Sequence, residues 1–135
     1  MKNRHILILI TVVLLSGCES PVHTSLIAGK PPKFTFNSPR EVNGLVIFHI
    51  PKEHENDAGF GSDVITDANV VWEINGDLKS REISYGTVPP GMTEKTTAKP
   101  LIEDGHYLVW CSQDGNGGCT GTVFVMREGA AYEPK

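Results

Sequence analysis

His54 sits among Glu53, Glu55, Asp57 and Asp63, with His49 just upstream, the densest gathering of proton-transferring and metal-ligating side chains in the sequence. Imidazole and carboxylate together bind zinc or another divalent ion, and they also move protons in hydrolysis. The spacing fits neither use. His54-Glu55 lacks the second histidine that a zinc-protease helix carries, and the acids do not follow the order of an EF-hand loop. Gly59 and Gly61, among so many charges, are equally the composition of a solvated loop. The expectation is therefore no metal and no catalytic residue. A polar loop over 52–63 remains, with His54, Glu55, Asp57 and Asp63 free to serve as a binding surface. His106 beside Tyr107 has no serine or cysteine nucleophile motif to work with. Trp72 and Trp110 have the faces to stack on a sugar, but a strand tryptophan more often fills a core, and both are assigned to it. Cys111 and Cys119 are too far apart in sequence for a redox pair with two intervening residues.

The elements that must hold these groups read as strands. Phe34-Thr35-Phe36 alternates. Leu45 to Ile50 is a continuous run of branched and aromatic residues that ends at Pro51, the pattern of a buried central strand. Val64 to Ile74 is expected as the next strand, and Asn75-Gly76 as a two-residue hairpin turn leading back through Leu78 to Tyr85. Met92 to Thr97 suits a polar edge strand. His106 to Cys111 and Thr120 to Met126 flank the turn residues 113–118, with Tyr107, Val109 and Cys111 on one face. No stretch beyond the N-terminal segment has helical periodicity. About seven short strands with frequent turns predict an all-β, antiparallel β-sandwich over 33–135.

The first residues have another purpose. Met1 to His5 is a short basic head, and Ile6 to Leu15 is an apolar run broken only by Thr11. That run is well under the roughly 20 residues of a spanning helix, and it marks a secretory signal. Leu15-Ser16-Gly17-Cys18 then resembles the lipobox of bacterial lipoproteins. The resemblance implies cleavage after residue 17 and a diacylglyceryl group on the Cys18 thiol, with the freed amine acylated as well, commonly by palmitate. This covalent lipid is the only cofactor expected. Two or three acyl chains, at about 0.8 kcal/mol per buried methylene, hold a protein durably on a bilayer. Glu19, where an aspartate would favour retention in the inner membrane, leans toward the periplasmic face of the outer membrane. Residues 18–32, with Pro21, Pro31 and Pro32, are expected as a tether of about 3.1 Å per residue standing the domain off the membrane.

With Cys18 assigned to lipid by that resemblance, Cys111 and Cys119 are left to pair with each other in an oxidising compartment. Asp104-Gly105, just ahead of Tyr107, also resembles the corner before the penultimate strand of immunoglobulin-like and transthyretin-like sandwiches, which implies a corner-tyrosine role for Tyr107. A disulfide within one hairpin departs from the inter-sheet bond of antibody domains. Several small envelope lipoproteins have this architecture, and architecture alone implies no activity.

Removing 17 of 135 residues leaves a mature part of 118, enough for one domain with a real core. The 12 basic residues less Lys2 and Arg4, against 16 acidic ones, give it a net charge of −6. An acidic domain without a basic run argues against nucleic acid and against electrostatic adhesion to anionic lipid. The expectation is a lipid-anchored periplasmic lipoprotein, not an enzyme, that binds another envelope component, most simply a protein. The alternatives are a periplasmic hydrolase or metal-dependent enzyme using the loop 49–63, and a secretion-system component or immunity-type inhibitor.

Overall fold

A computed structural model describes residues 22–113 and 118–135; the expected signal peptide, the expected lipidation site Cys18 and residues 114–117 lie outside the described residues. The protein is an all-β sandwich of two antiparallel sheets. Its central strand is β3 (Val42–Ile50), which follows β1 (Thr24–Ile27) and β2 (Lys33–Phe36) and is stopped by Pro51, whose nitrogen has no hydrogen to donate. Then come β4 (Val70–Gly76), β5 (Glu82–Ser84), β6 (Met92–Thr96), β7 (His106–Gln113), β8 (Thr122–Arg127) and β9 (Ala130–Tyr132). The large sheet has the order β6-β4-β3-β7-β8-β9, and the small one β1-β2-β5.

Period-2 alternation builds the main core. Leu45, Ile47, Trp72, Ile74, Tyr107, Val109 and Phe124 from the large sheet meet Phe34, Phe36 and Ile83 from the small one. Phe124 packs against Phe34 at 5.7 Å and stacks with Tyr107 at 5.2 Å between ring centroids. The Tyr107 hydroxyl accepts the Ile102 N–H at 2.9 Å, five residues upstream, which is the corner geometry expected for it. Cys111 and Cys119 form the expected disulfide, with their Cα atoms 5.1 Å apart.

Four local expectations are revised. First, residues 22–32 belong to the sandwich and not to a tether. Val22 is fully buried, β1 pairs along its whole length with β2, and His23 bridges to Thr120. A strand this polar takes its stability from the ladder offered by β2 and from the one face it buries. Second, the strand expected to start at Val64 starts at Val70. The Asn69 side-chain amide donates to the carbonyls of Asp63 and Val64, at 3.1 and 3.0 Å, and curls the chain into a single 3₁₀ turn over Asp67–Asn69. Third, Asn75-Gly76 is not a tight turn. Both residues lie in the ladder with β6, and Gly76, at φ +130°, lets the Gly91 carbonyl approach where a side chain would collide. The chain then crosses to the small sheet, where β5 pairs with β2 through the only strongly apolar side chain of its stretch, Ile83. Fourth, Trp72 is core, but Trp110 faces outward, 36% exposed, with its indole over Gly118.

Candidate functional site

The outer face of the large sheet is not bare. The connection from β3 to β4, residues 51–69, folds over it and makes a second small core. Phe48, Ile50, Val64, Val70 and Leu108 are buried there, with Phe60 packed against them. This explains the apolarity of Val64 that imitates a strand in the sequence. Short-range bonds order the loop: the N–H of His54 donates to Pro51, that of Asp57 to His54, and those of Val64 and Ile65 both to Gly61. Such spacing is turn and 3₁₀ geometry, satisfying backbone groups that have no strand partner.

The candidate residues fall into two pairs. His54 Nδ1 lies 2.7 Å from Asp57 Oδ2 on the exposed outer turn of the loop. The Asp57 hydrogen bond raises the histidine pKa above its ordinary value, and the charges of Glu53 and Asp63 push the same way. Asp63 therefore acts on His54 only through charge, while its own carbonyl is held by Asn69. The second pair joins the loop to β7: Glu55 Oε1 is 3.1 Å from His106 Nδ1, which is also 3.3 Å from the Asp104 carbonyl. Both neighbours are acceptors, so this geometry requires the hydrogen on Nδ1.

Glu55 and His106 line an open recess of about 360 Å³ together with His49, Lys52, Glu103 and Asp104. His49 turns its ring edge to face Tyr107 at 5.5 Å. His49, Glu55 and His106 are thus brought to one recess, while His54 and Asp57 form a separate pair. Among the described residues no serine, threonine or cysteine lines the recess. Among the described residues no group of three or more His, Cys, Asp or Glu side chains is arranged to hold a metal ion. What the site offers is a rim of carboxylates and imidazoles where a loop pinned from beneath by Phe60 and Val64 meets the ends of β3 and β7.

Glu103 is the residue here that sequence reasoning does not single out. Its carboxylate accepts the N–H of Glu128 at 2.5 Å and that of Gly129 at 3.3 Å, and so closes the β8–β9 turn beside the recess. The Glu128-Gly129 dipeptide signals that turn, but nothing local signals its distant acceptor.

Fold and site define a two-sheet β-sandwich with an acidic, histidine-bearing loop at one end. Comparison with protein-family models, with curated proteins and with solved structures finds no match to this chain.

Proposed function

We propose that this chain is a lipid-anchored envelope protein that works by binding. Cys18 carries diacylglyceryl and N-acyl lipid in the periplasmic leaflet of the outer membrane, and the loop 52–63 meets a protein partner through a basic surface on that partner. The observation that carries this reading is the separation of the two ends of β3. Val42 pairs with Gln113 at the end where Val22 and His23 join Asn37 and Thr120, and Ile50 pairs with His106 at the other. The nine strand residues from Val42 to Ile50 span about 27 Å. An anchor attached ahead of Val22 leaves the acidic loop at the end remote from the membrane, where soluble and membrane proteins of the periplasm can reach it. Glu53 and Asp57 are exposed and steer a cationic partner by long-range attraction that salt weakens.

Site-specific photocrosslinking from Asn56, exposed on this loop, tests the reading in cells, with Cys18→Ala as the unanchored control. The expected result is one dominant adduct, lost in Glu53→Lys with Asp57→Lys and reduced when Cys18 cannot be acylated. An adduct that persists through both charge reversals moves the interface off the loop.

A further inference from the structure

The end of the sandwich that carries Val22 lies across β3 from the acidic loop. We infer that this end of the sandwich rests directly on the bilayer, and that a basic cleft there holds the phosphodiester of a lipid headgroup. The inference rests on acylation of Cys18, the reading proposed above. Three residues and so four residue-to-residue steps separate Cys18 from Val22, and an extended chain covers at most about 3.6 Å per step, roughly 14 Å in all. About 6 Å of that reach is taken up by the headgroup layer itself. Val22 is fully buried and His23 is fastened on both sides of its peptide: its N–H donates to Asn37 Oδ1 at 2.7 Å and its carbonyl accepts the Asn37 N–H at 3.3 Å. The reach left beyond the headgroups is at most about 8 Å, so the domain cannot stand far from the surface.

Asn37 is one wall of a cleft of about 570 Å³ running between the β2–β3 connection and the chain after β4. Ser38 and Glu41 line it on the first side, Lys79 and Arg81 on the second, and Leu78 forms the apolar floor, its N–H held by the Val42 carbonyl at 3.1 Å. Lys79 and Arg81 enter no ion pair among the described residues, although Lys33 and Lys95 each take a carboxylate elsewhere. Two exposed cations without an ion-pair partner among the described residues, in a chain of net negative charge, are placed to receive a phosphate, with the Ser38 hydroxyl as a further donor. Glu41 on the opposite wall sets one carboxylate beside them, a counterpart for the amine of a phosphoethanolamine headgroup. The charge that argues against membrane adhesion is a property of the whole chain; in the lining of this cleft two cations face one carboxylate.

The test is amide hydrogen exchange on the full acylated protein, with lipid on Cys18 first confirmed by intact mass. It is run in phosphatidylethanolamine–phosphatidylglycerol vesicles, in neutral detergent, and in neutral detergent with excess inorganic phosphate. Exchange over 36–41 and 78–82 should slow only in vesicles, by roughly fivefold for each basic side chain at the headgroups and so about 25-fold for the pair. Lys79→Ser with Arg81→Ser should abolish that slowing while keeping the wild-type melting temperature. Equal slowing by inorganic phosphate in detergent overturns the lipid assignment. Slowing that survives the double substitution overturns the role of the two cations. Acylated protein with no slowing, or with slowing over 52–57 instead, overturns the docked orientation alone. An unmodified Cys18 overturns this inference and the anchoring reading together.

Discussion

Truncating Val64 to alanine separates the two halves of the 51–69 loop, the half that packs and the half that is presented. Val64 is 1% exposed and lies against Phe48, Ile50, Val70 and Leu108 on the outer face of the large sheet. Val64→Ala removes two methyl groups, worth about 0.8 kcal/mol each in transfer. The wall of strands beneath cannot collapse into the gap, so a cavity contribution brings the expected loss to about 2 kcal/mol. For a domain of this size that lowers the melting temperature by about 8 °C. Glu53→Ser and Asp57→Ser, on exposed positions of the same loop, should stay within about 0.5 kcal/mol of wild type.

Urea unfolding followed by tryptophan fluorescence provides the assay, because Trp72 is fully buried and donates to Glu94 at 2.9 Å. A single transition displaced for Val64→Ala, and unmoved for the two charge variants, is the expected result. A loss below about 0.5 kcal/mol for Val64→Ala, or an early separate phase, would show that the outer layer melts apart from the sandwich. The claim that the loop is pinned would then fail. The same geometry makes wholesale replacement of residues 53–62 a poor probe of binding, since it removes Phe60 and uncovers the second core.

Replacing both Cys111 and Cys119 by serine should cost about 2.5 kcal/mol, the loop-closure entropy for eight residues of separation, read as a lower urea midpoint. Tyr107→Phe removes the acceptor of the part-buried Ile102 N–H and should cost about 1 kcal/mol, checked by the same unfolding curve. Titration of His54 by carbon-detected NMR should give a midpoint above the ordinary histidine value of 6.5, returning toward it in Asp57→Asn. Because the folded pKa is raised, the stabilisation from that pair is complete below 6.5 and fades as pH rises through the folded midpoint. A midpoint at or below 6.5 in the wild type would show that the His54–Asp57 bond does not persist in solution.

Some of this architecture can be read from local pattern, and the reason is visible in particular residues. Leu45 to Ile50 has branched side chains pointing to both faces and a proline stop, and both faces of β3 are indeed buried, one by the small sheet and one by the 51–69 loop. Tyr107, Val109 and Cys111 alternate inward because an outward Trp110 and an outward Leu108 have separate surroundings to meet. Where local pattern misleads, the deciding partner is remote. Thr24–Ile27 is a strand because β2 pairs with it, and Asn75-Gly76 runs straight because Thr93 and Met92 take up the positions a hairpin partner would need. Either short stretch read alone is turn or tether.

The candidate site divides along the same line. His54 and Asp57 are three residues apart and meet within one turn, so composition alone marks them. Glu55 and His106 meet only because β3 and β7 are neighbours in register, with Ile50 opposite His106. The basic cleft is the extreme case, since Asn37 and Arg81 lie in two connections between the sheets, just beyond the paired strands β2 and β5, and share no pattern along the chain. A surface assembled from such connections has no period, and only the paired strands between them determine that one end of β3 gathers carboxylates and imidazoles while the other gathers Lys79 and Arg81. That polarity along a single strand is what ties the two proposals together: an anchor at the cationic end and a partner at the acidic end each require the other end to be free.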